Sequence, residues 1–448
     1  MTEGARSWIL PLETELQFEG LQAPVFIRRG IGGGTQGQVF EVEVAGERLA
    51  LKWYLPRCIA ADPNLERRLL ASIQATSPNP AFLWPIALLR LDPGQTATPP
   101  VARQSFGYLM PLRPSGYIGA HEHVGGLVEI SLQTVLKASF FLAEAFHDLH
   151  LQGLCYKDIS LLNLFLNPAT GQILICDNDN VAVDGRDPGS VLGTPGFMAP
   201  EVLLGQARPG ANSDLFSLAV LIFRLLTRHD PLLGRLELAI RCMDEPARRR
   251  LYGEDPVFIF DPQDSRNRPD PEHHSAALIT WPIYPAPLQF LFLQTFGLGM
   301  KVPNRRALTG QWKQVLARCL DQRRLCPDCG QETFLEAPGE GSCWNCGGRV
   351  GHGLALQMPH GLVQVAAGNE LHRHHFDNLC SETLDQPLAR LEAHPGRADL
   401  LGLRNLDRQP WQAQWINGQE HVIAPGQACN LAPLARLETP VGPITVLR

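Results

Sequence analysis

The sequence lacks a hydrophobic run long enough to cross a membrane. Its longest apolar stretch, residues 215–226, carries Arg224 and is shorter than the roughly 20 apolar residues of a membrane helix. We therefore expect a buried helix there. Residues 1–20 are acidic and contain no long apolar segment, so no signal peptide is expected and a cytoplasmic location is predicted.

An excess of positive charge is also absent. The 448 residues include 39 Lys and Arg against 45 Asp and Glu, a formal net charge of −6. This balance gives no reason to expect nucleic acid or an anionic membrane as a partner. A hydrophobic content of 44% with 19% charged residues is typical of globular proteins. The length favours two to three domains, and no solenoid repeat is visible.

Most of the eleven cysteines are scattered, but four form two Cys-x-x-Cys pairs with 13 residues between them: Cys326, Cys329, Cys343 and Cys346. Each pair is followed by a glycine that relaxes the turn, and two such turns create a tetrahedral Zn²⁺ site. Two disulfides are the alternative, which a cytoplasmic chain disfavours. Four thiolates leave no open coordination position, so a structural zinc ribbon is predicted over residues 321–352.

A glycine-rich turn lies between two strand-like segments within residues 24–55. Its glycines let a backbone approach phosphate groups closely: Gly32, Gly33, Gly34 and Gly37. Such a turn is a weak signal alone. Here a strand follows it, which favours a phosphate-covering loop over a dinucleotide-binding fold, where a helix follows. Val39 is then expected beneath an adenine.

Lys52 lies in the next strand and is a candidate for binding the α- and β-phosphates. A helix is predicted to start near Asp62, since proline follows it. Glu66 in the first turn is the acid best placed to pair with Lys52. The alternative is a solvated Glu66 that the helix dipole favours.

Residues 106–112 form a strand-like segment that ends near a proline. We predict that it is a hinge whose backbone binds adenine, with Met110 and Leu112 as contacts. Met110 has the alternative of being a core residue only.

The most informative segment is residues 156–181. It places Asp158, Asn163 and Asp177 on one short hairpin, and an apolar strand leads directly into Asp177. Carboxylate and amide oxygens of this kind can hold Mg²⁺ and orient a hydroxyl, as phosphoryl transfer requires. Asp179 is a rival metal ligand, and Asp177 is favoured because it directly follows the strand.

The order of these motifs resembles the protein kinase signature set. Residues 193–201, GTPGFMAPE, resemble the segment that closes a kinase activation loop. Asp214 is similar to the buried acid of the long helix that follows. Arg305 is predicted to be the partner of Glu201, in preference to Arg306.

This resemblance implies a bilobal α+β fold over residues 24–320, divided at residue 110, that binds ATP and Mg²⁺. Residues 1–23 are then an amino-terminal extension. The resemblance carries catalytic roles over to five residues: Lys52, Glu66, Asp158, Asn163 and Asp177. Asp158 would accept the proton of the attacking hydroxyl, Asn163 and Asp177 would hold Mg²⁺, and Lys52 would neutralise charge.

Three residues depart from the kinase pattern. Lys157 replaces an arginine that reads a loop phosphate, and it cannot form the same bidentate fork. Ser160 replaces a lysine of the catalytic loop, and Asn178 replaces the phenylalanine of the Asp-Phe-Gly motif. The principal polar groups remain, so an active serine/threonine protein kinase acting on a partner or on itself is predicted. The alternative is an ATP-binding scaffold that recruits partners.

A segment rich in proline and aromatic residues at 241–300, together with CDNDN at 176–180, resembles the bacterial kinase branch associated with TerY-type von Willebrand A proteins and tellurite-resistance loci. That resemblance implies two partners, a von Willebrand A domain protein and a metal-dependent phosphatase.

Residues 353–448 consist of short strand-like runs separated by turn signals, which predicts a β-sandwich. The pattern loosely resembles a forkhead-associated domain. The Ser-x-x-His of a phosphothreonine pocket is absent, so phosphopeptide binding is not expected. Three nearby histidines, His372, His374 and His375, suggest either a metal site or a solvated strand face, and the solvated face is favoured.

Overall fold

The computed structural model describes residues 8–94, 98–185, 192–335, 341–351 and 353–448, with the side chains of 398 and 399 left aside. Within these ranges the chain forms a mixed amino-terminal lobe, a helical lobe, a small cysteine-containing unit and a carboxy-terminal region of two sheets.

The amino-terminal lobe is built on a sheet of order β1-β2-β3-β4-β6-β5. Its strands are β1 (Thr14–Leu16), β2 (Val25–Gly33), β3 (Gly37–Val44), β4 (Glu47–Tyr54), β5 (Ala87–Leu89) and β6 (Gly107–Pro111), and its helices are α1 (Pro56–Ala61), α2 (Leu65–Gln74) and α3 (Pro100–Arg103). Successive strands pair antiparallel through tight turns, as the alternating pattern predicts. β4 is central and buried along six of its eight residues.

Part of the predicted amino-terminal extension belongs to this lobe. β1 pairs antiparallel with β2, and Leu10, Leu16 and Phe18 are buried in the sheet's hydrophobic core. The lobe therefore begins before the predicted boundary at residue 24. The sequence did not reveal β1 because an edge strand of three residues has too little alternation to be recognised.

The helical lobe is organised around two long helices that pack against each other. Its helices are α4 (Ala120–Val124), α5 (Leu132–Leu151), α6 (Pro200–Leu203), α7 (Ala211–Thr227), α8 (Arg235–Leu238), α9 (Glu245–Arg249), α10 (Ser275–Thr280), α11 (Ala286–Leu293), α12 (Gly299–Lys301) and α13 (Thr309–Asp321). Its strands are β7 (Ile118–Gly119), β8 (Leu154–Cys155), β9 (Leu164–Leu166), β10 (Ile173–Ile175) and β11 (Ala182–Val183). Ser131 caps α5 by accepting the backbone N–H of Thr134 at 3.1 Å.

The apolar run at 215–226 lies in α7 and is buried, as predicted. Its Phe223 contacts the rings of Phe258, Phe292 and Phe296. The proline- and aromatic-rich segment is therefore part of the core of the helical lobe. Among the described residues, no helix combines the length and the apolar composition that a membrane crossing demands.

The cysteine-containing unit consists of two short hairpins. They are formed by β12 (Arg323–Leu325) with β13 (Glu332–Phe334), and by β14 (Gly341–Ser342) with β15 (Arg349–Val350). Glu332 reaches the helical lobe, where its carboxylate accepts the backbone N–H groups of Leu132 and Gln133. This contact supplies partners to N–H groups that a helix start leaves free.

The carboxy-terminal region contains two antiparallel sheets with one shared hydrophobic core. The strands are β16 (Ala355–Met358), β17 (Gly361–Gln364), β18 (Glu370–Leu371), β19 (Ala389–His394), β20 (Arg397–Asn405), β21 (Trp411–Trp415), β22 (Glu420–Ile423), β23 (Ala428–Asn430), β24 (Leu434–Thr439) and β25 (Gly442–Leu447). The sheet orders are β17-β16-β25-β24-β21-β22 and β18-β19-β20-β23. Leu391 and Leu403 from the second sheet share a core with Leu356 and Trp411 from the first, so the predicted sandwich is present.

Candidate active site and cysteine cluster

Lys52 is held at the centre of the amino-terminal lobe. β4 places it opposite Val39 on β3 and Tyr108 on β6, and it is only 3% exposed. Its ammonium donates to the side-chain oxygen of Gln36 at 3.0 Å. Gln36 belongs to the glycine-rich turn, so the lysine and the turn lie together as predicted.

Two carboxylates of one short segment approach Lys52. The ammonium is 2.8 Å from Oδ2 of Asp179 and 3.3 Å from Oδ1 of Asp177. Burial lowers the pKa of Lys52, but the charges of Asp179 and Asp177 outweigh it and raise the pKa above its ordinary value. The same ammonium holds the pKa of Asp179 below its usual range despite complete burial.

Glu66 does not pair with Lys52, so the predicted ion pair is wrong. Its carboxylate lies 2.5 Å from Arg90, and both side chains are about two-fifths exposed. Glu66 lies in the first turn of α2, on its outward side. The solvated alternative describes it better.

The glycine-rich turn lies over Lys52, and there is open space around two of its glycines. A Cβ at Gly32 or Gly34 would meet nothing within 4 Å, whereas a Cβ at Gly37 would lie 2.4 Å from the carbonyl oxygen of Trp53. Gly37 is therefore required by packing, while Gly32 and Gly34 leave room for a ligand. Gly33 pairs with Gln38 in the β2–β3 ladder.

The predicted adenine contacts line one apolar cluster under the turn. Val39 and Leu112 are partly buried against the cluster that contains Ala50 and Met110. Met110 is only 4% exposed and pairs with Ala50 across β4 and β6. Met110 is thus a core residue at the back of the cleft, and Leu112 is nearer its opening.

Asp158 lies at the mouth of the cleft, and its carboxylate accepts a hydrogen bond from a threonine hydroxyl. Thr194 donates its hydroxyl to Oδ1 of Asp158 at 2.6 Å. Asn163 donates its amide N–H to the backbone carbonyl of Asp158 at 3.0 Å, so its Oδ1 is the atom left for a cation. Burial raises the pKa of the Asp158 carboxyl, against the lowering effect of the Thr194 hydrogen bond.

The segment that carries the predicted Mg²⁺ ligand Asp177 turns sharply after β10. Asp177 has left-handed backbone angles, φ 57° and ψ 47°, and a helical turn at Asn178–Asn180 follows. This geometry leaves the Asp177 side chain 35% exposed while Asp179 is buried. Asn178 is fully buried and donates to the carbonyls of Leu83 and Ile175.

Asp214 holds the backbone of the catalytic loop. Its carboxylate accepts the N–H of Tyr156 at 2.7 Å and that of Lys157 at 3.0 Å. The hydroxyl of Tyr156 donates to the carbonyl of Cys176. These bonds connect α7, the loop before Asp158 and the segment that contains Asp177. Asp214 is 1% exposed, as expected of a buried acid.

Arg306, and not Arg305, is the partner of Glu201. Two guanidinium nitrogens of Arg306 lie 2.8 and 2.7 Å from the two carboxylate oxygens. Arg306 is 1% exposed, whereas Arg305 is exposed. The prediction of Arg305 is wrong because two adjacent arginines are indistinguishable until the turn at Pro303–Arg305 decides which one points inward.

Comparisons with known proteins agree with this geometry. Residues 125–268 match the model of the protein kinase domain family. Over this stretch, which includes Asp158, Asn163 and Asp177, the chain is similar to the protein kinase domain family. The DNA damage-responsive serine/threonine-protein kinase RqkA of Deinococcus radiodurans is 32% identical over 220 residues, which cover 46% of this chain and 30% of that protein.

Two further relatives match shorter stretches. The serine/threonine-protein kinase YPK3 of Saccharomyces cerevisiae is 36% identical over 113 residues, 21% of each chain. The serine/threonine-protein kinase PknJ of Mycobacterium tuberculosis is 38% identical over 97 residues, 20% of this chain and 16% of that protein. The matched stretches thus span under a third of the length of these relatives.

Two residues of the site were missed by the sequence reasoning. Gln36 and Tyr54 both contact the Lys52–Asp179 pair, Gln36 through the ammonium and Tyr54 by donating its hydroxyl to Asp179. The period of two along a strand puts Tyr54 on the same face as Lys52, which was a usable signal. Residues 186–191 of the predicted activation loop, which runs from Asp177 to Glu201, lie outside the described residues.

The four clustered cysteines converge as predicted. Their sulfur atoms all lie within 4.8 Å of one another, and Sγ of Cys326 is 3.6 Å from Sγ of Cys346, as is Cys329 from Cys343. A tetrahedral zinc site with bonds of about 2.3 Å needs sulfurs about 3.8 Å apart, so the thiolates fit Zn²⁺ closely. The glycine after each pair has positive φ, 73° at Gly330 and 70° at the second.

The three histidines at 372–375 are not on a solvated strand face, so that prediction is wrong. His372 and His375 are 3% and 1% exposed. Asp321, His374 and His375 have ligand atoms within 4.8 Å of one another. However, Nδ1 of His375 accepts the N–H of His372 at 2.9 Å, which leaves the ring proton on Nε2, 3.1 Å from Asp321. A neutral His375 ring therefore has no lone pair for a metal ion.

Proposed function

We propose that this chain is an ATP-dependent serine/threonine protein kinase that transfers the γ-phosphate to a partner protein or to itself. The observation that carries the proposal is the convergence of Lys52, Asp177 and Asp158 on one cleft beneath a glycine-rich turn. The protein kinase domain match and the serine/threonine kinase relatives support it.

The chain's own residues suffice for the positioning that phosphoryl transfer needs. The Lys52 ammonium, buried and kept charged by two carboxylates, neutralises phosphate charge beneath Gly32 and Gly34. Asp158 orients the acceptor hydroxyl and takes its proton. The Thr194 hydroxyl already donates to Asp158, so an aliphatic hydroxyl fits there, which favours serine or threonine as acceptor.

The residues also fit Mg²⁺, a hard cation that prefers oxygen ligands. The Asn163 amide is oriented by its bond to the Asp158 carbonyl, and Asp177 keeps a partly exposed carboxylate. When bound there, Mg²⁺ would supply charge neutralisation for the phosphates.

The test is transfer of label from radiolabelled ATP with Mg²⁺, to the chain itself and to a general acceptor protein. Asp158→Asn and Lys52→Met should each lower the rate by about 10²-fold or more, whereas Glu15→Gln, an exposed acid on β1, should not change it. Undiminished transfer by both active-site variants would refute the proposal.

A scaffold function is the second candidate, favoured by the departures at Lys157, Ser160 and Asn178. It predicts tight binding of ATP and Mg²⁺ by the wild type without transfer to any acceptor. Calorimetry beside the transfer assay separates the two functions.

We further propose that the cysteine cluster holds structural Zn²⁺ and that the carboxy-terminal sandwich, similar to a forkhead-associated domain, docks a partner. The resemblance of CDNDN at 176–180 to the TerY-associated branch supports a von Willebrand A domain protein and a metal-dependent phosphatase as partners. Co-purification of the chain with such proteins tests this, and absence of any complex with purified candidates contradicts it.

A further inference from the structure

Lys52 needs a buried carboxylate that fixes its ammonium, and α2 does not supply one. The only acid of α2 is Glu66, which pairs with Arg90 near the surface. The nearest acid before α2 is Asp62, which holds Arg68 through two hydrogen bonds of 3.1 and 2.5 Å. Both acids therefore have arginine partners away from the cleft.

We propose that Asp179 is the positioning residue of Lys52, and that the segment that binds the metal thus also fixes the lysine. This inference rests on the proposed kinase function and assigns a role within the same site. It replaces the earlier view of Asp179 as a rival metal ligand.

The contacts of Asp179 suit this role. Its Oδ2 receives both the Lys52 ammonium at 2.8 Å and the Tyr54 hydroxyl. Its side chain is 1% exposed, against 35% for Asp177. An ionised carboxylate buried this deeply is stable only when paired and hydrogen-bonded, so Asp179 and Lys52 require each other.

The two acids thus have different roles: Asp177 is available to a cation, and Asp179 fixes Lys52. Asp177 makes the longer contact with Lys52, 3.3 Å, and faces the opening of the cleft, where a cation can reach it. Asp179 faces the protein interior and a small cavity of about 190 Å³, lined also by Gln36, Tyr54 and Leu65. The left-handed turn at Asp177 and the helical turn after it direct the two side chains to these different places.

A consequence concerns control of the enzyme. Because Asp179 comes from the segment after β10, the ion pair of Lys52 does not use an acid of α2. A movement of α2 that only makes or breaks a contact of Glu66 is therefore not expected to switch this chain on or off.

The experiment compares Asp179→Asn, Asp177→Asn and Glu66→Gln in the purified full chain, with kcat, KM for ATP and the Mg²⁺ concentration for half-maximal rate as readouts. Asp179→Asn should lower kcat by about 10²-fold and leave the Mg²⁺ requirement unchanged. Asp177→Asn should raise the Mg²⁺ requirement. Glu66→Gln should remain within about twofold of the wild type, since exposed ion pairs contribute little.

A double-mutant cycle makes the test specific. If Asp179 acts through Lys52, adding Asp179→Asn to Lys52→Met should change kcat by less than about threefold. A raised Mg²⁺ requirement in Asp179→Asn, a full additional loss in the double variant, or a large loss in Glu66→Gln would each overturn the inference.

Thermal melting of each variant is the control that shows whether the variant is folded. If Asp179→Asn does not fold, Tyr54→Phe removes one hydrogen bond from Asp179 and keeps the charges. It should lower kcat by roughly threefold to tenfold, and an unchanged kcat would contradict the inference. A wild type that transfers no phosphate would refute the proposed function itself, which is a different outcome from an active wild type with a fully active Asp179→Asn.

Discussion

Glu201 and Arg306 form a bidentate ion pair inside the helical lobe. Arg306 also donates to the carbonyl of Asn212 at 2.8 Å. Replacing Arg306 by alanine leaves the Glu201 carboxylate without its partner in a mostly buried place and removes one hydrogen bond from each of the carbonyls of Asn212 and Gly299. We expect Arg306→Ala to lower the free energy of unfolding by about 3–5 kcal/mol, measured by urea denaturation. Arg305→Ala, at an exposed neighbour, should change it by under about 0.5 kcal/mol. Equal effects of the two variants would contradict the assignment.

A second prediction at the scale of one residue concerns how kcat/KM falls at acid pH. Burial raises the pKa of Asp158 above the ordinary value of an aspartate, and only its ionised form accepts a proton. The rate should therefore fall as the pH decreases, and at a higher pH than an ordinary carboxyl would allow. The measurement is kcat/KM against pH. Asp158→Asn should lose most of its rate and should no longer show this decrease at acid pH. If the decrease persists unchanged in the variant, it belongs to another group.

At the scale of elements, the motifs that depend on local chain order were predictable and the long-range partners were not. The strand before Asp177, the glycine turn and the two cysteine knuckles each follow from turn chemistry within a few residues. The partner of Lys52 depends on the backbone turn that begins at Asp177, and the partner of Glu201 depends on one short turn. A short β1 and buried histidines at 372–375 also escaped detection, because burial is decided by contacts across the fold.

If the cysteine cluster holds Zn²⁺ as proposed, the hairpins that carry the cysteines should fold only around this ion. Cys326 and Cys343 are each 2% exposed, and Glu332 on β13 connects this unit to the start of α5. Cys343→Ser should abolish one equivalent of bound zinc and lower the melting temperature of the helical lobe, because the helix start loses its carboxylate partner. Cys242→Ser, at an exposed cysteine outside the cluster, is the matched control. Unchanged zinc content in Cys343→Ser, measured by elemental analysis, would contradict a four-cysteine site.

At the scale of the whole molecule, the helical lobe and the carboxy-terminal sandwich are joined by polar contacts. Lys137 on α5 lies 2.7 Å from Glu370 on β18, and Gln133 donates to the carbonyl of Gly368 at 2.6 Å. Asp321 at the end of α13 accepts from His375. Leu384 of the carboxy-terminal region adds an apolar contact with the core of the helical lobe. The polar contacts depend on charge and hydrogen bonding, so this part of the interface is sensitive to pH.

The buried His372 and the partly buried His374 decide the direction of that sensitivity. Burial, together with the charges of His375, His374 and Lys137, lowers the pKa of His372 to about 2. Burial, together with the charges of His375 and Lys313, lowers the pKa of His374 to about 3. In the unfolded chain each ring takes up a proton near pH 6.5. The stabilising contribution of the neutral rings is therefore complete above about pH 6.5 and is lost as the pH falls.

We expect the free energy of unfolding of the sandwich to fall by about 1.4 kcal/mol per pH unit for each of the two histidines below about pH 6. Glu370, 3.9 Å from Nε2 of His372, is already paired with Lys137 and Arg390, so it does not compensate a new charge. Urea denaturation followed by tryptophan fluorescence at pH 7, 6 and 5 measures the slope. His374→Phe removes one titrating ring and should reduce the slope by about half, while His421→Phe, at an exposed ring on β22, should leave it unchanged. Because the rings of His372 and His374 lie near Lys137 and Lys313, acid should also loosen the contact with the helical lobe before the sandwich unfolds. Faster hydrogen exchange at residues 368–375 would report this loosening.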